Sequence, residues 1–368
     1  MKILIIQDRF QFRGGGERLV LDLAKALKAD ILTEYWTDVT FPRSEAPGKI
    51  YTLDDGEAPM IVWRYFRAQW NFWWKTRKIL PEYDVIIFSG NNCLSAALRP
   101  LRNKKIIYYC HSPVRYVYDL LTHRRNEESS RIKKVFYYDI GKWLIRTIYN
   151  LGLSRMPVVV TNSQGVHDRL KTFCHRESRI IYPPVQTKLF TWIAQESYYL
   201  SFARLDPLKR IDRIVKAFQQ MPDKVVKIAS TGPCEQELRE LAKGYPNIQI
   251  LGRVEDDVLK DLVGKCTATI YIPINEDFGM SPLEGMSAGK PCIGVDEGGL
   301  RETVIPGKTG TLIPKECRVE DLVTAVQELT PERAFAMRSA CEEQAKRFDV
   351  SVFSEQMKAL VYGDQIGR

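Results

Sequence analysis

The chain has 368 residues, 45% of them hydrophobic and 27% charged, and a net charge of +9. The composition excludes a disordered or fibrous protein, and the length favours two domains over one. The basic charge calls for an acidic partner, which nucleic acid, an anionic membrane surface or a phosphate-bearing substrate would each provide. The apolar run Ile3–Ile6 is too short for the core of a signal peptide. No segment approaches the ~18 apolar residues of a membrane-spanning helix, so we expect a cytoplasmic protein.

Short apolar runs alternate with helical patterns through the first half of the chain. Such alternation is typical of parallel βαβ units in an open, doubly wound α/β sheet. The predicted strands are Ile3–Gln7, Ala29–Thr33, Val85–Ser89, Lys105–Cys110 and Pro157–Asn162. The predicted helices are Gly16–Leu27, Asn92–Leu98 and Gln164–Thr172.

The pattern breaks at Tyr182-Pro183-Pro184, because two prolines fit neither a helix nor a strand interior. It then restarts with predicted strands at Tyr198–Ala203, Val225–Ser230, Ile248–Leu251, Ala268–Ile272 and Cys292–Val295. The predicted helices of this half are Ile211–Gln219, Glu235–Lys243, Val258–Gly264, Val319–Leu329 and Pro331–Lys346. We therefore predict two domains, residues 1–183 and 197–349, with ligands beyond the carboxyl ends of the strands. A last amphipathic helix, about residues 350–368, could pack back on the first domain.

A run of three glycines, Gly14 to Gly16, follows the first predicted strand and leads into the first helix. Glycine lets a backbone approach a ligand closely, and a helix N-terminus offers free amides to an anion. The run does not match G-x-G-x-x-G, and no acidic residue is well placed to hold the ribose of a dinucleotide. A ligand contact at Gly15 and Gly16 and a tight structural turn therefore both remain open.

Charged residues gather at the ends of two predicted strands in the second half. Arg204 ends a strand and Lys209 lies five residues further on, at the start of a helix. Two cations at this position suit a pyrophosphate, although a solvated surface pair fits as well.

A second set follows the predicted strand Ala268–Ile272. Glu276 lies in the loop, and Glu284 lies one turn into a helix that we expect to begin near Ser281. A carboxylate deep in a cleft accepts hydrogen bonds from the hydroxyls of a ribose or a sugar. The start of the helix presents the amides of Gly279 to Leu283 to an anion.

The segment from Glu276 to Glu284 resembles the E-x7-E motif of the family-4 retaining glycosyltransferases. The further segments that follow the family pattern are Gly14–Arg18, Arg204 with Lys209, Pro282–Pro291, Gly298–Val304 and Gly307–Gly310. The resemblance covers almost the whole chain in order. The departures are Gly285, Ser287 and Leu300, and none of them is an expected functional side chain.

The resemblance implies the GT-B fold, in which two Rossmann-like, doubly wound parallel-sheet domains face a central cleft. The second domain would hold a nucleotide-sugar donor and the first a glycan acceptor. Glu284 would bind the ribose, Arg204 and Lys209 the diphosphate, and Glu276 the transferred sugar. The donor-binding residues that the resemblance adds are Gly15, Gly16, Gly232, Arg253, Val254, Phe278, Gly279, Met280, Ser281 and Leu283. The family needs no cofactor or metal, which fits the absence of a D-x-D triplet.

His111 follows the predicted strand Lys105–Cys110. A lone histidine is usually structural, and its position alone favours that interpretation. In related enzymes a histidine here reaches into the cleft near the transferred sugar, so the resemblance implies a catalytic residue. Whether His111 is catalytic or structural therefore stays open, and the other histidines are expected to be structural.

The segment Trp63–Lys75 holds four of the seven tryptophans. A helical period places the aromatic residues on one face, with cations along its flank and no acidic residue between Met60 and Pro81. The pattern is typical of a helix at a membrane interface, although a core-facing helix is the alternative. The predicted membrane-contact residues are Trp63, Phe66, Trp70, Trp73 and Trp74. A second basic cluster, which we interpret as a solvated helix, comprises Arg124, Arg125, Arg131, Lys133 and Lys134.

The donor and acceptor are predicted from finer likenesses. The segments His111–Asp119 and Ile181–Val185 resemble the mannosyltransferases of bacterial or archaeal O-antigen assembly, a part of lipopolysaccharide biosynthesis. This resemblance favours GDP-mannose as donor. A lipid-linked saccharide is expected as acceptor if the aromatic helix contacts a membrane. The base would pack near Gly252–Val254 mainly through backbone contacts, so a UDP-sugar donor stays open.

Three other classes of protein are more distant. A UDP-sugar 2-epimerase would use a similar cleft, but it needs more acid and base groups near the sugar than His111 alone. A dinucleotide-dependent oxidoreductase is disfavoured by the missing G-x-G-x-x-G. A nucleic-acid-binding module would explain the basic charge, but the chain shows no nucleic-acid-binding motif.

Overall fold

The computed structural model describes residues 1–56, 61–119, 130 and 141–363. The chain forms two compact units: unit 1 comprises Met1–Tyr182 and the chain from Phe353 onward, and unit 2 comprises Pro183–Val352. The predicted second basic cluster, residues 124–134, lies outside the described residues.

Within the described residues, unit 1 is built on a parallel sheet of seven strands in the order β3-β2-β1-β4-β5-β6-β7. Its strands are β1 Ile3–Gln7, β2 Asp30–Thr33, β3 Ile50–Thr52, β4 Val85–Ser89, β5 Lys105–Cys110, β6 Val158–Thr161 and β7 Arg179–Ile180. Its helices are α1 Gly15–Leu27, α2 Ile61–Trp74, α3 Gly141–Ser154 and α4 Gln164–Cys174. The five strands predicted for this half are present. The sequence analysis missed β3 and β7, which are too short to show a clear period.

Alternating side chains of the sheet in unit 1 enter two different cores. Residues such as Ile5 and Ile87 pack with α1 in one core. Residues such as Ile6 and Phe88 pack in the other, together with α2, α3 and the 3-10 helix Cys93–Leu98. The sheet is therefore covered on both faces, as a buried parallel sheet requires.

The register of β1 brings polar side chains to one edge of the sheet. Gln7, the last residue of β1, is aligned with Thr33 of β2 and with Ser89 of β4. Because all these strands are parallel, the residues that follow them lie along the same carboxyl edge. This alignment positions the candidate site of unit 1.

Unit 2 repeats the plan with a parallel sheet in the order β10-β9-β8-β11-β12-β13. Its strands are β8 Tyr198–Ser201, β9 Val225–Ile228, β10 Ile248–Ile250, β11 Ala268–Tyr271, β12 Cys292–Val295 and β13 Gly310–Ile313. The helices are α5 Ile211–Gln219, α6 Glu235–Leu241, α7 Asp256–Lys265, α8 Met280–Ser287, α9 Leu300–Thr303, α10 Val319–Glu328, α11 Pro331–Ala336 and α12 Arg338–Lys346. Two parallel-sheet, Rossmann-like domains were predicted, and this architecture is confirmed.

Two helix predictions were wrong in detail, and α3 was not predicted at all. The predicted helix Asn92–Leu98 is a 3-10 helix, Cys93–Leu98. The predicted helix Pro331–Lys346 is divided at Met337 into α11 and α12. The sequence analysis missed α3, whose apolar residues do not form a simple stripe.

The chain ends its described part with α13, Val350–Tyr362. Three apolar residues spaced four apart, Phe353, Met357 and Val361, are buried in the core that α1 also covers. The ammonium of Lys105 on β5 donates to the carbonyl oxygen of Val361 at 2.9 Å. The last helix thus completes unit 1.

Candidate functional site

The loop after β8 carries the first predicted cation. β8 ends at Ser201, so Arg204 lies in this loop and not at the end of the strand, and it is exposed. A Cβ atom on Gly232 would lie 2.2 Å from the carbonyl oxygen of Leu205. Glycine is therefore required at position 232, because the loop after β9 passes directly beside the loop that holds Arg204.

Lys209 was predicted at the start of a helix, but it ends the 3-10 turn Pro207–Lys209, two residues before α5 begins at Ile211. Its ammonium group donates to the carboxylate of Glu276 at 2.5 Å and to the hydroxyl of Tyr271 at 2.9 Å. The structure therefore brings together two predicted site residues that are far apart in the sequence.

Tyr271 is a member of this cluster that the sequence analysis missed. It is the last residue of β11, and its side chain is buried. Burial, followed by the charge of Glu276, raises the pKa of Tyr271 well above its usual value, so the hydroxyl keeps its proton. The available signal was its position at the carboxyl end of a buried strand, where ligand contacts concentrate.

The loop that holds Glu276 is fixed by a pair of glycines. The backbone N–H of Gly299 donates to the carbonyl oxygen of Glu276 at 2.9 Å. A Cβ atom on Gly298 would lie 2.3 Å from that same oxygen, and one on Gly299 would lie 2.3 Å from the Cα of Phe278. The Gly-Gly pair therefore shapes the loop by allowing this close approach.

The helix α8 begins at Met280, one residue before the predicted start, and Gly279 precedes it with a φ of 88°. The ring of Phe278 is buried against Phe348, with 5.5 Å between the ring centres. Leu283 is also buried, whereas Met280 and Ser281 are partly exposed. Since the first N–H groups of a helix lack intrahelical acceptors, the backbone at Gly279 and the first turn of α8 is suited to an anion.

Glu284 lies one turn into α8, as predicted. Burial raises the pKa of Glu284 to about 7. Its neighbour Gly285 is packed so tightly that an added Cβ would lie 2.7 Å from the Cγ2 of Thr269 on β11. The close packing of α8 on β11 holds Glu284 near Tyr271, whose pKa its charge also raises.

The predicted base contacts lie in the loop after β10. Gly252 has a φ of 71°, which turns the chain out of the strand. Arg253 is exposed, and Val254 is partly buried against the core under α7. Of the three residues only Arg253 is exposed, since Gly252 is buried.

In unit 1 the glycine run Gly14–Gly16 lies beside the predicted site residue His111. Gly14 precedes α1, which begins at Gly15, and a Cβ on Gly16 would lie 3.9 Å from the Cε1 of His111. The Nε2 atom of His111 lies 2.7 Å from the Oγ of Ser89, the last residue of β4. Burial lowers the pKa of His111 to about 4, so the imidazole is neutral at physiological pH.

A buried carboxyl group that the sequence analysis missed lies at the same edge. Glu34 follows β2 and is 2% exposed, and its Oε1 has no hydrogen-bond partner among the described residues. Burial, followed by the charge of Asp8, raises the pKa of Glu34 to about 7. Asp8 itself accepts three backbone N–H groups at the start of the 3-10 helix Cys93–Leu98. Glu34 is thus a polar group at the sheet edge with unused hydrogen-bonding capacity.

The aromatic face predicted for α2 lies on the outside of unit 1. Its exposed members are Trp63, Phe66, Trp70 and Trp74. Trp73 is only partly exposed, because the guanidinium of Arg99 covers its ring at 4.4 Å. The core side of α2 is instead formed by Ala68 and Phe72. The alternative of a core-facing aromatic stripe was wrong.

None of the helices in the described ranges combines the length and apolarity needed to cross a membrane. In those same ranges, no group of three histidine, cysteine or acidic side chains is arranged to hold a metal ion.

Two protein-family models match the chain in succession. The model described as Glycosyltransferase Family 4 matches residues 13–189, and the model described as Glycosyl transferases group 1 matches residues 191–348. The chain is 26% identical over 362 residues to alpha-1,3/1,6-mannosyltransferase ALG2 of Dictyostelium discoideum, a match that covers 81% of this chain and 83% of that protein. It is 25% identical over 348 residues to ALG2 of Homo sapiens, covering 81% and 80% of the two chains.

Solved structures of similar fold cover nearly the whole chain. Anabaena Alr3699/HepE in complex with UDP and glucose aligns with a TM-score of 0.74 at 18% identity, over 99% of this chain and 100% of that chain. Sucrose-phosphate synthase from Thermosynechococcus elongatus aligns with a TM-score of 0.77 at 20% identity, over 98% of each chain. At these identities the likeness establishes the fold.

Proposed function

Because the chain is a glycosyltransferase of the GT-B fold, we propose that it moves mannose from GDP-mannose to a lipid-linked saccharide with retention of configuration. The observation that carries the proposal is the cluster of Lys209, Tyr271 and Glu276 at the carboxyl end of β11, beside the first turn of α8. It offers a cation, a hydroxyl and a carboxylate within hydrogen-bond distance of one another. The mannosyltransferase relatives support the choice of sugar.

In this proposal, different residues of unit 2 bind the diphosphate, the ribose and the sugar of the donor. Arg204 and Lys209 bind the diphosphate, for which an exposed and a half-buried cation on the same connection between β8 and α5 are suited. Glu284 accepts hydrogen bonds from the ribose hydroxyls. Glu276 and the backbone of Gly279 orient the mannose. The further donor contacts proposed here are Gly232, Arg253, Val254, Phe278, Met280, Ser281 and Leu283.

The chemical step follows from the charge that develops on the leaving group. As the bond from the sugar to the diphosphate breaks, negative charge grows on the diphosphate, and Arg204 and Lys209 stabilise it. The acceptor hydroxyl attacks from the same face and gives its proton to the departing phosphate oxygen. The reaction requires neither a cofactor nor a metal ion in this proposal. An unchanged rate in excess chelator is the expected result, and a rate restored only by added Mg²⁺ would contradict it.

His111 has the properties of a hydrogen-bonding group in this scheme. A pKa of about 4 makes its imidazole a weak base, and its Nε2 atom is engaged with Ser89. We assign it to the sugar as a neutral donor or acceptor, and Gly15 and Gly16 to a backbone contact with the donor. The alternative is that the histidine only holds the end of β4 against the end of β5.

The proposed acceptor is attached to lipid because unit 1 exposes the aromatic face of α2. Indole rings are favoured at the boundary between headgroups and acyl chains. The enzyme would act in the cytoplasm as a peripheral protein on the membrane surface. The resemblance of His111–Asp119 to O-antigen mannosyltransferases supports surface-glycan assembly as the setting.

Calorimetric titration with GDP, UDP, ADP and NAD tests the donor, with Glu284→Ala as the matched control. Tight binding of GDP, weakened in the variant, is the expected result. Transfer from GDP-mannose to a lipid-linked saccharide extract, followed by analysis of the anomeric product, tests the reaction. Binding of NAD alone would overturn the proposal.

A UDP-sugar donor is the second candidate. The observation that favours it is that the loop Gly252–Val254 has one exposed side chain, Arg253, beside a glycine and a partly buried valine. We therefore expect few side-chain contacts that could distinguish guanine from uracil. Preference for UDP over GDP in the same titration would retain the glycosyltransferase and exclude mannose from GDP-mannose. Product formation without any acceptor would instead indicate an epimerase.

A further inference from the structure

We propose that unit 1 docks on an anionic lipid bilayer through two helices together, α2 and α3, with Trp143 of α3 as an anchor. The inference rests on the membrane contact proposed above for α2 and extends it to a helix that the sequence analysis missed. It assigns a flat platform, defined as the outward sides of α2 and α3, instead of a single helix.

The outward side of α3 is apolar and nearly neutral. Trp143 is 73% exposed, and Leu144 and Leu151 are 44% and 52% exposed. The other exposed residues of the helix are Thr147, Asn150 and Ser154, which carry no charge. The opposite side is buried through Tyr149 and Leu153. Exposing a tryptophan and two leucines on one helix is costly in water, so a partner surface is expected to cover them.

The two helices pack against the same short element. The 3-10 helix Cys93–Leu98 contacts α2 through Ser95, whose Oγ donates to the carbonyl oxygen of Gln69 at 3.1 Å. It contacts α3 through the preceding residue, Leu94, against which Gly152 lies so closely that an added Cβ would come within 2.7 Å. The buried sides of both helices enter one core. Their exposed sides therefore lie on the outside of the same layer of unit 1.

Charge complements the apolar contact. No aspartate or glutamate occurs in residues 61–81, 85–118 or 141–167. The basic residues of α2, α3 and the segments beside them include Arg64, Lys75, Arg77, Lys78, Arg99, Arg102, Lys142, Arg146 and Arg155. Arg67 is also on α2, but its guanidinium is paired with the carboxylate of Asp54 at 3.2 Å. The guanidinium groups of Arg77 and Arg99 lie over the rings of Trp74 and Trp73, at 3.7 and 4.4 Å. Aromatic rings bordered by cations match the boundary between acyl chains and anionic headgroups.

A third helix of unit 1, α4, has a polar outer side. On α4, which packs against the same core through Val166 and Leu170, the exposed residues are Gln164, Asp168, Lys171 and Thr172. A helix of the same layer therefore follows the usual pattern of a polar outer surface. The difference argues for a specific function of the outer sides of α2 and α3.

A bilayer fits this surface better than a second copy of the chain. Two copies that met through the platform would bring two basic faces together, and like charges oppose such contact. An anionic surface neutralises the same cations and accepts the indole rings. Self-association through the platform is therefore an outcome that the experiment must be able to detect.

The experiment measures partition of the full chain into vesicles of phosphatidylcholine, with and without about one-third phosphatidylglycerol. The variants are Trp143→Ser with Leu144→Ser on α3, and Trp63→Ser with Trp70→Ser on α2. The control is Phe335→Ser, which removes an aromatic ring that is 53% exposed on α11 of unit 2. Circular dichroism and GDP titration of each variant verify the fold and report on the donor site separately.

The expected result is strong binding to the anionic vesicles only, reduced about tenfold or more by either double variant and unchanged by the control. Full binding by a folded Trp143/Leu144 variant would overturn the two-helix platform, and weakening by the α2 variant alone would leave α2 as the sole contact. Loss of a dimer in light scattering, without any vesicle binding by the wild type, would identify a second copy as the partner. GDP binding that persists through any of these outcomes leaves the proposed reaction standing.

Discussion

The ammonium of Lys209 lies 2.5 Å from the carboxylate of Glu276, and the hydroxyl of Tyr271 lies 2.9 Å from the same ammonium. Before a donor binds, the two charges therefore neutralise each other. A diphosphate that takes up Lys209 leaves Glu276 free to accept hydrogen bonds from the sugar. The proposed mechanism therefore predicts that binding of the phosphate and orientation of the sugar are coupled through this pair.

Replacement of the carboxylate separates the two effects. We expect Glu276→Ala to keep GDP affinity, or to strengthen it slightly, because Lys209 no longer has a competing partner. Turnover should fall about a hundredfold because the sugar is misplaced. Titration with GDP and steady-state transfer rates measure the two quantities. An unaltered rate in this variant would remove Glu276 from the mechanism.

The affinity for nucleotide should depend on Glu284 and on pH. We expect Glu284→Ala to weaken GDP binding by roughly 1.5–3 kcal/mol, through loss of a charge-assisted hydrogen bond. The pKa of Glu284 is raised to about 7 by burial, and in the proposed mechanism the ribose hydroxyls donate to the ionised carboxylate. Affinity should therefore increase up to about tenfold per pH unit below pH 7 and level off above it. Glu284→Gln should abolish this dependence, and a slope that persists in the Gln variant would assign it to another group.

Stability in acid should reflect His111. Burial lowers its pKa from 6.5 to about 4, so the folded state favours the neutral ring. The contribution of His111 to the free energy of unfolding is fully present above pH 6.5 and is lost as the pH falls through 4. The loss is limited to about 3 kcal/mol. Urea titrations of the wild type and His111→Gln between pH 4 and 7 measure it. Parallel stability curves for the two proteins would show that the histidine does not contribute.

Glu34 predicts the opposite dependence. Its pKa is raised by burial from 4.5 to about 7, so the folded state favours the protonated form. Its contribution is complete below pH 4.5 and is lost as the pH rises through 7, again by up to about 3 kcal/mol. Glu34→Gln should therefore be more stable than the wild type at pH 8. The same comparison at about pH 4 is the control, since the carboxyl group is then neutral in the folded state and mostly neutral in the unfolded state.

The packing of α8 on β11 offers a structural test. A Cβ on Gly285 would lie 2.7 Å from the Cγ2 of Thr269, so we expect Gly285→Ala to destabilise the fold by about 1–3 kcal/mol. Thr269→Ser removes that methyl group. The double variant should recover most of the loss, as thermal unfolding would show. A single Gly285→Ala variant as stable as the wild type would mean that the helix moves aside without cost.

Local patterns in the sequence predicted more of unit 2 than of unit 1. The segment Glu276–Glu284 and the strand before it lie within one βα unit, so their arrangement follows from a short range of sequence. Tyr271 was missed because its role depends on Lys209, which reaches it from another loop. In unit 1, Glu34 acquires its properties from burial beside Asp8 at the end of a neighbouring strand. Such contacts depend on strand order, which composition and period do not reveal.

The aromatic face of α2 and the helix α3 illustrate the same limit on a surface. A helical period placed Trp63 and Trp70 on one face of α2 but could not decide whether that face lies in the core or in solvent. The structure shows that both side chains are exposed. The helical period also did not reveal α3, because buried and exposed apolar residues are mixed within Trp143–Leu153. The two helices become one surface only because both pack on residues 93–98.

The position of α13 has a consequence for how the protein is synthesised. Unit 2 is continuous in sequence, whereas unit 1 needs Phe353, Met357 and Val361 to close its core. During translation, unit 2 can therefore complete its fold as soon as it leaves the ribosome. The core of unit 1 beside α1 stays incomplete until α13 has been synthesised. The unit that is synthesised first is then the last to complete its fold. Truncation before Phe353 would therefore destabilise unit 1, although the residues removed come from the other end of the chain.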